Sequence, residues 1–196
     1  MPARALVLCG PSGVGKSTIV EIIKKAFPDV FKFSVSHTTR KPREGEVDGV
    51  SYHFVDQEIM PKLIENDKFL EHATFSGNTY GTSKAAVQSI VEQGKICILD
   101  IDMQGVIQIK KTDLNPLYVF IKPPSMEVLE KRLRGRKTEN EENIQKRLSA
   151  AAAEIEYGEA KGNFDLIIVN DNIEVAGNEM INFLKPFVEE LQKDQQ

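Results

Sequence analysis

Residues 10 to 17 read Gly10-Pro11-Ser12-Gly13-Val14-Gly15-Lys16-Ser17, a full match to G-x-x-x-x-G-K-[ST]. Glycines let a backbone fold round an anion with successive N–H groups turned inward, where a Cβ would obstruct it. A helix that begins as the loop ends adds its partial positive charge. In such a loop Lys16 reaches terminal phosphates and Ser17 offers a hydroxyl to Mg²⁺. The flanks agree: Ala5 to Cys9 is a continuous apolar run that reads as a buried strand, and Ile19, Ile22, Ile23 and Ala26 recur at helical spacing, closed by Pro28. The expectation is a site for a nucleoside triphosphate.

Asp100 ends the apolar run ICIL, where a neighbouring strand would meet the phosphate loop. A carboxylate there is the usual second handle on Mg²⁺ or its waters. Asp102, two residues on, is expected to point the same way and serve the phosphoryl acceptor.

What receives the phosphoryl group is written in two other segments. Residues 33 to 94 hold Arg40, Arg43, Tyr52 and Tyr80. Arginine forks and phenol hydroxyls suit a dianionic phosphate monoester. Glu71 is an acid among these basic groups. A carboxylate that accepts two parallel N–H bonds would recognise guanine at N1 and N2, and adenine would leave it unpaired. The charged stretch RLRGRKTENEENIQKRL supplies Arg132, Arg136 and Arg147, and Arg132 and Arg136, four apart, share a face if the helix continues that far. Phosphoryl transfer needs positive charge round the moving group, and a hinged helical lid can deliver it while excluding water.

The elements that must position these groups follow from pattern. Strands are expected at Ala5 to Cys9, Ile96 to Ile101, Leu117 to Ile121 and Leu166 to Val169, separated by helical stretches, so the core reads as three-layer α/β with a parallel sheet. Residues 33–94 alternate short β-like pieces with polar turns and read as an inserted α+β lobe. Residues 124–157 read as a helical lid, with Ser125 capping one helix and Thr138 to Glu141 forming a capping box for the next. Residues 1–32, 95–123 and 158–196 make the core.

Composition narrows the class. A chain of 196 residues with 41% apolar and 28% charged residues buries a core without disulfides. The net charge of −4 argues against broad nucleic-acid binding. Cys9 and Cys97 sit inside apolar runs and read as packed thiols, and the three histidines show no metal spacing. No apolar run is long enough to span a membrane, and Met1 opens no signal pattern, so a reducing cytoplasmic address is expected.

The ordered set GPSGVGKST, FSVSHTTRKPR, EVDGVSYHFV, FSGNTYGTSKAAV, ILDIDMQGV, PPSMEVLEKRLRGR and IIVND resembles the guanylate kinase family over nearly the whole chain. The resemblance implies a P-loop core with a GMP-binding lobe and a lid, a monomer, and the reaction ATP + GMP (or dGMP) ⇌ ADP + GDP (or dGDP) with Mg²⁺. It also implies residue roles. Gly13, Val14, Gly15, Lys16, Ser17 and Thr18 would hold the ATP phosphates, with Arg132 close by and Asn170 and Asp171 at the adenine end. Ser36, Glu71 and Thr82 would read guanine, helped by Asp102. Arg40, Arg43, Tyr52 and Tyr80 would bind the GMP phosphate. Lys16, Arg43, Arg136 and Arg147 would act on the phosphoryl in flight, and Ser17 and Asp100 would serve Mg²⁺. Lys137 stands where many relatives carry glycine, and the helix round Ala176-Gly177-Asn178 is expected to be less regular.

Three rivals differ from this expectation. A kinase for AMP, UMP or dTMP would share the phosphate loop. Related non-catalytic peptide-binding modules of scaffold proteins tend to lose the loop and lid arginines, which this chain keeps, and no attached PDZ- or SH3-like segment is seen. A signalling GTPase would need an N-K-x-D stretch, which is not present.

Overall fold

The computed structural model describes residues 5–75, 77–135 and 141–194. In chain order, β1 (Ala5–Cys9) leads through the loop to α1 (Lys16–Ala26) and β2 (Phe31–Phe33). Then come β3 (His37–Thr38), β4 (His53–Phe54), α2 (Ile59–Glu65), β5 (Phe69–Phe75), β6 (Asn78–Ser83) and α3 (Lys84–Glu92). The chain continues with β7 (Ile96–Asp100), α4 (Met103–Ile109), β8 (Leu117–Lys122) and α5 (Met126–Gly135). It ends with α6 (Glu141–Glu159), β9 (Leu166–Val169) and α7 (Ile173–Asp194).

The main sheet runs β2-β7-β1-β8-β9, and every neighbouring pair in it is parallel. Its central strands β1, β7 and β8 are almost wholly apolar because both faces are covered. Leu6 and Leu8 of β1 pack with Ile19 and Ile23 of α1 and Met180 and Leu184 of α7. Ala5, Val7 and Cys9 point the other way, onto Val87 and Ile90 of α3 and Val106 and Ile109 of α4. Burying one such leucine or isoleucine contributes about 1.5–3 kcal/mol, so the continuous runs hold the middle of the domain in place. The expected three-layer α/β fold is what forms.

Several details differ from expectation. β2 joins the main sheet as an edge strand; only Phe31 of its three residues is buried, too little pattern to announce a strand. β7 stops at Asp100, one residue short, and β8 runs one residue further, to Lys122. Ala26 is exposed, so the buried stripe of α1 is Ile19, Val20 and Ile23. α7 passes through Ala176 and Gly177 as one continuous helix, because a side chain at Gly177 would come within 2.8 Å of Ile22 Cδ1, and the bare glycine lets α1 and α7 close up. Ser125 caps α5 through Val128 N–H at 3.3 Å. Thr138, Glu139 and Asn140 of the expected capping box lie outside the described residues.

A second sheet, β4-β3-β6-β5, lies within residues 33–94. β6 pairs antiparallel with both β3 and β5, and a register shift between Phe69 and Glu71 marks an irregularity in β5. The same stretch includes α3, whose apolar residues belong to the core under β1 and β7.

Candidate active site

A cavity of about 450 Å³ opens between the two sheets at the C-terminal ends of β1 and β7. This is the edge at which parallel α/β sheets place their ligand sites. One wall is the phosphate loop. Gly15 adopts φ +99°, a left-handed conformation that side chains resist, and a Cβ there would lie 2.6 Å from Asn170 Nδ2. Val14 N–H bonds back to Pro11 O at 3.1 Å, closing the turn. Lys16 Nζ donates to Gly10 O at 2.5 Å and lies 3.5 Å from Asp100 Oδ1.

The Asp100 side chain is 38% exposed and faces the cavity. Enclosure by the cavity walls raises its pKa, while Lys16 pulls it back down. No group of three or more His, Cys, Asp or Glu stands ready for a metal among the described residues. Ser17 and Asp100 are hard oxygen donors beside a phosphate cradle. They suit Mg²⁺, which keeps most of its waters and takes one or two protein ligands with substrate phosphates.

The opposite wall comes from the second sheet. Tyr80, on β6, pairs with Thr38 and Ala73, which aims its ring across at Tyr52, with ring centroids 6.1 Å apart. Ser36 is held through its carbonyl, which accepts from His53 N–H at 2.9 Å. Glu71 is only 5% exposed and lies opposite Thr82 in register. Its pKa is pushed up to about 7, chiefly by burial and further by the charge of Asp102, with Thr82 pulling the other way. The Thr82 hydroxyl is itself buried and aligned on no partner. A Cβ on Gly105 would lie 2.9 Å from Glu71 Oε2, so that glycine of α4 leaves the carboxylate its space. Asp102 lines the cavity not as a strand residue but as the N-cap of α4, its Oδ1 accepting from Gly105 N–H at 2.9 Å.

The third side is helical. Arg147 Nη1 donates to Ser12 Oγ at 2.7 Å, which holds α6 against the phosphate loop. Arg132, on α5, donates instead to the carbonyls of Asn170 and Asp171, at 2.9 and 3.3 Å. Asn170 is 4% exposed, and its Nδ2 donates to Val14 O at 2.7 Å.

Of the residues singled out in the sequence, Gly13, Val14, Gly15, Lys16, Ser17, Ser36, Tyr52, Glu71, Tyr80, Asp100, Asp102 and Arg147 line this one cavity. Thr18, Arg40, Arg43, Thr82, Arg132, Asn170 and Asp171 do not, and Arg136 lies outside the described residues. Arg40 stacks over Tyr52 at 5.3 Å and is tied to Glu46 Oε1 at 2.8 Å, while Arg43 N–H donates to Glu46 Oε2 at 2.7 Å. Arg40 holds the Glu46 carboxyl down to about 2. Sequence reasoning missed Glu46, whose signal is an acid three and six residues after two arginines. It also missed Ser12, the partner of Arg147, and Glu154 of α6, which lines the cavity.

Known proteins resemble this chain over most of its length. The sequence model described as guanylate kinase matches residues 2–187. The guanylate kinase of Sus scrofa is 54% identical over 173 residues, 88% of this chain and 87% of that protein. The guanylate kinase of Homo sapiens is 50% identical over 190 residues, 97% of this chain and 96% of that protein. A crystal structure of guanylate kinase from Anaplasma phagocytophilum superposes with a TM-score of 0.70 at 34% identity, covering 94% of this chain and 86% of that one. This chain belongs to the guanylate kinase family.

Proposed function

We infer that the chain is a guanylate kinase, transferring the γ-phosphoryl group of ATP to GMP or dGMP. The observation that carries this reading is the pairing, in one cavity, of a phosphate loop with a buried carboxylate, Glu71, spanned by Tyr52 and Tyr80. A buried acid without a hydrogen-bonding ligand is an expense the fold would avoid, and guanine supplies the N–H groups it lacks.

In this mechanism the loop N–H groups of Gly13 to Thr18 hold the donor phosphates, and Lys16 leaves Gly10 O for the transferred group. Tyr52 and Tyr80 hold the acceptor phosphate, and Arg40, released from Glu46, completes its pocket with Arg43. Ser36, Glu71, Thr82 and Asp102 read the base. Arg147, already on the loop, and Arg136 neutralise charge that builds up in transfer. Arg132 steadies the Asn170–Asp171 turn at the adenine end. Mg²⁺, held by Ser17 and through water by Asp100, would neutralise and orient the donor phosphates. The acceptor phosphate is mostly dianionic near neutral pH, its second pKa being about 6, so no general base is needed.

Within residues 33–94 the second sheet and α2 act as the closing lobe, and residues 124–157 as the lid, drawing in over GMP and ATP and expelling water, while β2 and α3 stay with the core. Two buried free thiols and a net charge of −4 support a cytoplasmic protein that handles small anions as a monomer, without nucleic acid. Among the described residues no helix is long and apolar enough to cross a membrane.

The direct test is ADP release from ATP with GMP, AMP, UMP and dTMP offered in turn. Turnover should be confined to GMP and its deoxy form; comparable rates with AMP would defeat the guanine assignment. Small-angle scattering should show a smaller radius with both nucleotides than with neither.

A further inference from the structure

Helix α6 presents two side chains to the cavity. Arg147, Ala151, Glu154 and Gly158 follow at intervals of four, three and four, a single stripe on a helix of 3.6 residues per turn. Ala151 and Gly158 are buried, and any side chain at Gly158 would strike the ring of Phe120 in β8. That close seat fixes the rotation of the helix about its axis. It turns Arg147 to Ser12 and sets Glu154 in the cavity wall with Lys16, Glu71 and Asp102.

Among the described residues the Glu154 carboxylate makes no hydrogen bond or ion pair. Lys16 and Asp102 are the neighbours whose charges it feels, and burial raises its pKa. A further acid here is a poor partner for a phosphate, which repels it, but a good one for a neutral O–H. The hydrogen-bond donors of GMP are few. Those of the base, N1–H and N2–H, fall to Glu71 and Asp102 in the proposed reading, and a phosphate dianion has none. The ribose 2′- and 3′-hydroxyls remain. The ribose joins base to phosphate, and Glu154 lines the same cavity as Glu71 and Asp102, which read the base in that scheme, and Lys16, which serves the phosphoryl.

We propose that Glu154 is a specificity-determining residue whose carboxylate accepts hydrogen bonds from the ribose hydroxyls of the acceptor nucleotide, so that the cavity reads sugar as well as base. The proposal rests on GMP being the acceptor. It gives the lid helix a contact to each part of the reaction, with Arg147 at the phosphoryl and Glu154 at the sugar.

The test compares kcat/KM for GMP and dGMP in the wild-type chain, Glu154→Ala and Glu154→Gln. The wild type should prefer GMP by roughly tenfold, the scale of one hydrogen bond to a charged group. Glu154→Ala should bring the two within about twofold, by lowering GMP use further than use of dGMP, which keeps only the 3′-hydroxyl, and Glu154→Gln, which keeps one acceptor oxygen, should fall between. Alanine suits a helix interior, and the glutamine variant preserves shape should the smaller residue disturb the fold. A wild type indifferent to the 2′-hydroxyl, a ratio unmoved in both variants, or equal losses on both nucleotides would each overturn the proposal; the last would mean that Glu154 only steadies Lys16. Failure of the wild type to use either guanine nucleotide would instead sink the GMP reading itself.

Discussion

Arg147 Nη1 lies 2.7 Å from Ser12 Oγ, joining α6 to the phosphate loop across 135 residues of sequence. The protein's own contact therefore holds the arginine at the loop. A donor fixed in advance near the position where charge develops stabilises a transition state without reorganising, and in a water-poor site that is worth several kcal/mol.

Arg147→Ala should accordingly lower kcat by about 10²–10³ while leaving the GMP KM within about twofold. Arg147→Lys should recover only part of this, since an ammonium lacks the planar fork. Steady-state kinetics at saturating ATP would decide, and a loss confined to the GMP KM would remove Arg147 from the transfer step.

How much of this was legible beforehand depended on how local each signal is. The phosphate loop and the strands β1, β7, β8 and β9 announce themselves because a motif and an unbroken apolar run each occupy consecutive residues. β2, with one buried residue in three, and the two-residue strands β3 and β4 carry no period to detect. Glu154 hides in a helix that reads as charged and solvated, and only its phase relative to Arg147 and Gly158 betrays it. Asn170, expected at the adenine end, also has an amide that braces a loop 156 residues earlier, a contact made by the packing of β9 beside β8 that no local pattern encodes.

That contact yields the next prediction. Asn170→Ala removes the buried donor to Val14 O, leaving a carbonyl unpaired away from water. The loss should be about 1–3 kcal/mol, which lowers Tm by about 2–4 °C per kcal/mol in a domain of this size. ATP affinity should fall with it, because the loop loses its brace, whereas the GMP KM should hold. Calorimetry and nucleotide titration would test this, and an unchanged Tm would show the brace to be idle.

Guanine recognition by Glu71 predicts a pH dependence. A carboxyl raised to about 7 is largely neutral at pH 6, and a neutral carboxyl offers fewer acceptors to the base N–H groups. The GMP KM should fall as pH rises through 7. In Glu71→Gln that step should vanish, leaving only the ionisation of the GMP phosphate near pH 6. A profile with the same step at 7 in both proteins would detach it from Glu71.

The same residue should set stability against function. Glu71 titrates at 4.5 in the open chain and at about 7 in the fold, so between those values the folded state binds more protons than the unfolded one. Stability therefore drains away as pH rises from 4.5 to 7 and is level above it, by up to about 3 kcal/mol from this group. Glu71→Gln has no charge to bury. Its urea midpoint should exceed that of the wild type at pH 8 and approach it at pH 5, while saturating GMP should stabilise only the wild type appreciably. Asp100 and Glu154 are also raised, but they are present in both proteins and largely cancel in the difference. If the two midpoints differ by the same amount at both pH values, burial of the Glu71 charge is not what the fold gives up to read guanine.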